Sequence, residues 1–177
     1  MISISKLSCG LDMNASLFFL CPTDCLESIV NKNYKGKNYF YTCLGNNSSF
    51  DSILLESIRA LICRLNIRNI YFVLSEQNKI VVDAMEGQTF PQISGLQDLF
   101  NAIKLNKRQS KLFWKTSDSV HPVLSYYLNQ KIIQLQANLS CTITQGLTLQ
   151  GKIYIKSQNK FIDTYPDLVC LREYSLN

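Results

Sequence analysis

Histidine is nearly absent from this chain, whose 177 residues include only His121. A Ser-His-Asp or Cys-His catalytic set needs a histidine held beside a nucleophile. His121 lies instead in residues 117–122, a segment typical of the start of a helix. A glycine-rich phosphate loop is also missing, because the loop at 45–49 lacks the lysine and the glycines of a P-loop. The sequence therefore argues against histidine-based hydrolysis and P-loop nucleotide chemistry.

Long apolar runs are missing as well. The longest early run covers residues 17–21, far short of the roughly 20 residues that span a bilayer. It is also too short for a secretion signal, and no charged segment with a cleavage motif accompanies it. With 46% hydrophobic and 18% charged residues, the composition is that of an ordinary globular protein. We therefore expect one cytoplasmic domain with no membrane partner.

Paired cysteines are scarce, although the chain has seven cysteines. Cys21 and Cys25 are four residues apart, and no second close pair accompanies them. A zinc knuckle needs two close pairs, so this spacing is weak evidence for one. In a reducing compartment we expect most of these thiols to be free, buried and unreactive.

Positive charge is modest, at a net +5, and is concentrated in one segment. Its basic residues interleave with Phe113 and Trp114, and they are Lys104, Lys107, Arg108, Lys111 and Lys115. The segment is either a solvated helix end or a patch that binds small anions. Nucleic acid is not an expected partner, because no other feature matches a nucleic-acid-binding motif.

Apolar runs and helical periodicity alternate along the middle of the chain. We predict strands at 17–21, 39–44, 70–74, 148–155 and 160–164, and helices at 23–31, 51–65, 78–86, 95–106 and 122–137. Ser49 or Asp51 is the predicted cap of the second helix. This alternation predicts an α/β fold with a mostly parallel sheet flanked by helices. Ligands of such sheets bind beyond the carboxyl ends of the strands.

Two segments at predicted strand ends resemble the zinc-binding segments of the β-class carbonic anhydrases. Residues 18–26 resemble a strand ending in Cys-x-Asp-Ser-Arg, and residues 69–79 resemble one ending in Gly-His-x-x-Cys. Residues 36–46 and 146–154 resemble two further strands of that family in the same order. The resemblance implies one domain over residues 1–177, with a short N-terminal extension at 1–15 and a C-terminal tail at 165–177. It also implies a homodimer, or a hetero-oligomer with a related subunit.

The residues at the family's functional positions have changed. The three positions of the zinc ligands hold Pro22, Glu76 and Lys79. The catalytic Asp-Arg pair remains only as Asp24, since the Arg position holds Leu26. Proline has no ligand atom, and a protonated lysine cannot coordinate a metal. We therefore expect no zinc cofactor, no catalytic residue and no hydration of carbon dioxide, which would make the chain a non-catalytic pseudoenzyme.

Two other interpretations remain open. If the end of the first strand is irregular, Cys21, Asp24, Cys25 and Glu76 could form a rebuilt metal site for a lyase or hydrolase. Alternatively, the strand ends and the basic segment could bind a small anion. For the metal-free site we expect the Lys79 ammonium to be held by Asp24 and Glu76, so that its removal costs about 3 kcal/mol.

Overall fold

Five strands form one sheet in the order β2-β1-β3-β4-β5. The computed structural model describes residues 15–88, 94–113, 120–139 and 146–165. The strands are β1 (Ala15–Leu20), β2 (Lys37–Thr42), β3 (Ile67–Ser75), β4 (Thr148–Ile155) and β5 (Lys160–Asp163). The first four are mutually parallel, and β5 pairs antiparallel with β4. The predicted α/β fold with a mostly parallel sheet is confirmed.

Five helices surround this sheet. They are α1 (Glu27–Asn33), α2 (Ser52–Leu65), α3 (Lys79–Glu86), α4 (Ser94–Phe113) and α5 (Val120–Asn138). None of the helices in the described parts of the chain is long and apolar enough to cross a bilayer. The predicted extension and tail lie outside the described residues, apart from Ala15 and Tyr165, and their boundaries stay predictions.

The core lies on both faces of the sheet, because β1 and β3 are central strands. Alternate residues of β1, such as Phe19, pack toward α2, α3, α4 and α5. The intervening residues, such as Phe18, pack toward α1. All six residues of β1 are buried, as expected of a parallel strand covered on both faces.

Local chemistry explains where two of the helices begin. Asp51 caps α2 by accepting a hydrogen bond from the Leu54 amide at 2.8 Å, so Asp51 rather than Ser49 is the cap. Asn78 caps α3 in the same way, with the Val81 amide 3.1 Å from Asn78 Oδ1. The α3 helix then ends at Gly87, which adopts a left-handed conformation, as the sequence predicts.

The prediction of one helix over 23–31 is wrong. Pro22–Asp24 instead forms a single 3₁₀ turn, and Cys25 adopts a left-handed conformation with φ of 51°. The α1 helix begins only afterwards, at Glu27. The α4 helix is longer than predicted, since it continues to Phe113 through a run rich in good helix formers.

Candidate site at the carboxyl ends of β1 and β3

Asp24 lies at the centre of the candidate site, just beyond β1. Its Oδ2 accepts a hydrogen bond from the Ser75 amide at the end of β3, at 2.9 Å. Its Oδ1 accepts one from the Asn78 side-chain amide, also at 2.9 Å. Burial raises the pKa of the Asp24 carboxyl, and these two hydrogen bonds oppose that shift. The carboxyl thus joins the turn after β1 to the start of α3.

Asn78 is the residue that organises the β3–α3 turn. It is fully buried, and its side chain both caps α3 and donates to Asp24. The backbone amide of Asn78 also donates to the Ser75 carbonyl at 3.0 Å. Sequence reasoning missed its role toward Asp24, although an asparagine directly before an apolar helical pattern is a recognisable cap signal.

Glu76 is paired with the single histidine of the chain. Glu76 Oε2 lies 3.5 Å from His121 Nε2, at the first turn of α5. The predicted helix start around His121 is confirmed. Its contact with Glu76 was not foreseen, because 45 residues separate the two and no local pattern connects them. Both side chains are partly exposed, so the pair contributes little to stability.

Lys79 does not occupy the place that we expected. The predicted contacts with Asp24 and Glu76 are wrong, because Asp24 is held by Ser75 and Asn78, and Glu76 by His121. Lys79 is exposed as the first residue of α3. It forms no ion pair with any residue in the described ranges. Amide groups of Ser75 and Asn78, rather than the ammonium of Lys79, therefore donate to the carboxyl of Asp24.

The residues of the alternative metal site point in different directions. Cys21 is fully buried in the core, and its Sγ accepts a hydrogen bond from the Gly45 amide at 3.1 Å. Cys25 is exposed, and its thiol donates to the Pro22 carbonyl at 3.4 Å. Within the described residues, no three His, Cys, Asp or Glu side chains are grouped so that they could hold a metal ion. Alternation along β1 carries Cys21 inward, as strand geometry requires.

The predicted basic segment lies mainly on α4. Lys107 Nζ donates to the Met85 carbonyl in the last turn of α3 at 2.9 Å, a favourable place for a cation. Arg108 is exposed. Lys115 and the side chain of Lys111 lie outside the described residues, so the anion-binding interpretation stays a prediction.

Comparison with known proteins identifies the architecture. Neither a protein-family model nor a curated relative matches the sequence. The β-carbonic anhydrase CafA of Aspergillus fumigatus superposes with a TM-score of 0.68 at 12% identity, over 93% of this chain and 84% of that one. The β-carbonic anhydrase CafD of the same fungus gives a TM-score of 0.67 at 14% identity, and the match covers 88% of this chain and 92% of that one. A tetrameric β-carbonic anhydrase of Sordaria macrospora gives a TM-score of 0.65 at 14% identity, and the match covers 87% of this chain and 82% of that one.

This chain has the β-carbonic anhydrase fold. The structural likeness covers most of the chain, and it confirms the fold that the sequence resemblance implied. At 12–14% identity it establishes the fold alone.

At the three positions that the sequence resemblance assigns to the zinc ligands, the donor set does not fit zinc. Pro22 offers no side-chain donor, and Lys79 is an exposed amine at the start of a helix. Glu76 supplies one carboxylate, which faces His121. Structural and catalytic zinc sites use at least three protein ligands. The β-carbonic anhydrase fold of this chain therefore presents one usable ligand at these three positions.

Proposed function

We propose that this protein is a non-catalytic member of the β-carbonic anhydrase fold, which acts as a binding or scaffolding subunit. The proposal is supported by the residues Pro22, Glu76 and Lys79, which stand at the positions that the sequence resemblance assigns to the zinc ligands. Hydration of carbon dioxide in that family needs a metal-bound water of lowered pKa, and one carboxylate cannot hold the metal.

The contacts of Asp24 and the burial of Leu26 support the same proposal. Asp24, the remnant of the Asp-Arg pair, accepts hydrogen bonds from Ser75 and Asn78. Leu26, at the Arg position, is buried in the core. The acidic remnant thus stabilises the β3–α3 turn, which is a structural task.

A second copy of this chain is the partner that we propose. The Sordaria macrospora protein of the same fold is tetrameric. In this chain Ile53 is 77% exposed on α2 and Leu44 is 45% exposed, and such apolar side chains favour burial in an interface. Light scattering after size exclusion should give at least twice the chain mass. Ile53→Glu should lower that mass and Ser52→Glu should leave it unchanged, whereas a wild-type monomer would contradict the assembly.

Elemental analysis of the untagged protein, together with its carbon dioxide hydration rate, tests the loss of catalysis. We expect far less than one metal ion per chain and no rate above that of buffer. The variant carrying Pro22→Cys, Glu76→His and Lys79→Cys is the matched comparison, and it should take up about one zinc ion per chain. Near-stoichiometric zinc in the wild type would overturn the proposal. Cys21, Asp24, Cys25 and Glu76 would then be the ligands to mutate.

A further inference from the structure

Two cysteines occupy neighbouring positions just beyond the ends of β1 and β2. Leu20 and Thr42 are the last paired residues of these parallel strands. The Cys43 amide donates to the Leu20 carbonyl at 3.0 Å, which is a hydrogen bond of this last pair. Cys21 and Cys43 directly follow this pair along their strands, and both residues have extended backbones.

Both thiols lie on the same face of the sheet. Successive strand residues alternate between faces, and Cys21 follows Phe19 into the core that α2 and α5 cover. Cys43 follows Tyr41, which packs against that same core. Adjacent strands are about 4.8 Å apart, and disulfides join residues whose Cα atoms are about 4.4–6.8 Å apart. Cysteines that extend neighbouring strands on one face therefore lie near the Cα separation that a disulfide needs.

The backbone beyond the two cysteines is no longer held in the ladder. Pro22 begins a 3₁₀ turn after Cys21, and Leu44 begins another after Cys43. Pro22 has no amide hydrogen to continue the pairing. The Gly45 amide donates to Cys21 Sγ at 3.1 Å, which holds this thiol toward the loop that carries Cys43.

A buried cation accompanies this pair. Lys131 of α5 is only 8% exposed, and its Nζ donates to Asn47 Oδ1 at 3.2 Å and to the Ser48 carbonyl at 3.4 Å. The ion pairs between described residues do not involve Lys131, so no carboxylate there balances its charge. Cys43 Sγ lies 3.1 Å from Ser48 Oγ, on the same loop. Burial raises the pKa of the Cys43 thiol, and Cys21 raises it further, whereas the hydrogen bond with Ser48 and, more weakly, the positive charge of Lys131 lower it.

Exposure assigns different roles to the two thiols. Cys43 is partly exposed, whereas Cys21 is completely buried. A reagent in solution can reach Cys43, and Cys21 can react only with a sulfur already placed at Cys43. This is the arrangement of an attacking and a resolving cysteine.

We propose that Cys21 and Cys43 are a redox-active dithiol, which a small-molecule disulfide such as oxidised glutathione converts into an intramolecular disulfide. The Cys43 thiolate attacks one sulfur of the reagent, breaks its S–S bond and releases one thiol. Cys21, as its thiolate, then attacks Cys43 Sγ and releases the second thiol. The two cysteines lose two electrons and two protons, and the reagent gains them as two thiols.

This activity does not rest on the proposed function, and both cysteines lie outside the positions that the resemblance assigns to the zinc ligands, although Cys21 belongs to the alternative metal site. The disulfide would join the turn that carries Asp24 to the loop that carries Asn46, whose side chain donates to the Val73 carbonyl at 2.9 Å. Oxidation would therefore cross-link the turns around the candidate site.

Equilibration of the full-length protein in glutathione buffers of graded potential tests the proposal. The samples are quenched, alkylated and digested with trypsin, which can cleave after Lys32, Lys35 and Lys37 between the two cysteines. We expect a linked pair of peptides under oxidising conditions, with fragment ions that assign the link to Cys21 and Cys43. Excess dithiothreitol should reduce the disulfide and release the two peptides. A link to another cysteine, or full alkylation of both thiols in the most oxidising buffer, would overturn the proposal.

Four cysteine variants and one lysine variant sharpen the assignment. Cys21→Ser and Cys43→Ser should each abolish the link, whereas the exposed controls Cys25→Ser and Cys63→Ser should keep it. Circular dichroism checks that each variant folds, and the wild-type peptide map decides the matter if one of them does not. Lys131→Gln should slow formation of the mixed disulfide several-fold and still allow the same final link. An unchanged rate would remove Lys131 from the proposal.

Discussion

The carboxylate of Asp24 accepts a hydrogen bond from the Asn78 side-chain amide at 2.9 Å, although 54 residues separate them in sequence. The same asparagine caps α3 through its Oδ1. One buried amide thus stabilises a helix start and donates to the acidic side chain that follows β1. The position matched to the Arg holds the buried Leu26.

Asn78→Ala should therefore cost more than the loss of a helix cap. We expect a decrease of about 2–3 kcal/mol in the free energy of unfolding, from the lost cap and from an orphaned carboxyl. Urea denaturation measures it. Asp51→Ala is the matched control, since Asp51 caps α2 at an exposed site, and it should cost about 1 kcal/mol. Equal losses in the two variants would show that the Asp24 contact contributes nothing.

The raised pKa of Asp24 predicts a specific dependence of stability on pH. Burial places the pKa in the folded protein above the usual 3.8, so the folded state binds this proton more tightly than the unfolded state. The resulting stabilisation is complete below 3.8 and is lost as the pH rises through the folded pKa. From about pH 4 to about pH 7, the wild type should therefore lose stability relative to Asp24→Asn.

Urea midpoints of both proteins across this range check the prediction. Asp51→Asn controls for the removal of a carboxyl from an exposed helix cap. A difference between wild type and Asp24→Asn that stays constant with pH, or that changes in the opposite direction, would rule out a raised pKa.

Lys79→Ala should change the free energy of unfolding by less than about 0.5 kcal/mol, because an exposed lysine without an ion pair stabilises little. Lys152→Ala is the comparison, since Lys152 Nζ lies 2.6 Å from Asp163 Oδ1 and 5.9 Å from the Tyr71 ring centre. We expect it to cost about 1 kcal/mol. A loss near 3 kcal/mol for Lys79→Ala would restore the arrangement expected from the sequence.

Gly45→Ala should destabilise the loop that carries Cys43. Gly45 has a φ of 58°, and an added Cβ would lie 2.6 Å from Leu99 Cδ2. The left-handed backbone and the contact together should cost about 2 kcal/mol. Gly95→Ala is the control, because a Cβ added at Gly95 has no atom within 4 Å and alanine has a higher helix propensity than glycine in α4. Thermal denaturation of both variants checks this, and an undiminished melting temperature for Gly45→Ala would contradict it.

Local patterns in the sequence were enough to predict most of the strands and helices. Apolar runs predicted the five strands, and helical spacing predicted α2 and α3 with their terminal residues. The interruption before α1 was not predicted, because it depends on the contact between Asp24 and the Ser75 amide across the sheet. The Glu76–His121 pair was missed for a similar reason, since a single histidine carries no local sign of its partner.

The sequence by itself determined the α/β fold class and the positions of most strands and helices along the chain, and it predicts that Pro22, Glu76 and Lys79 stand where the related family has its zinc ligands. Those features follow from local periodicity and from residue chemistry at fixed positions. Only the tertiary structure decided which groups satisfy Asp24, that Lys79 is free of ion pairs among the described residues, and that Cys21 and Cys43 follow the last registered pair of β1 and β2. These are contacts between distant segments, and the pairing of strands and the packing of helices create them.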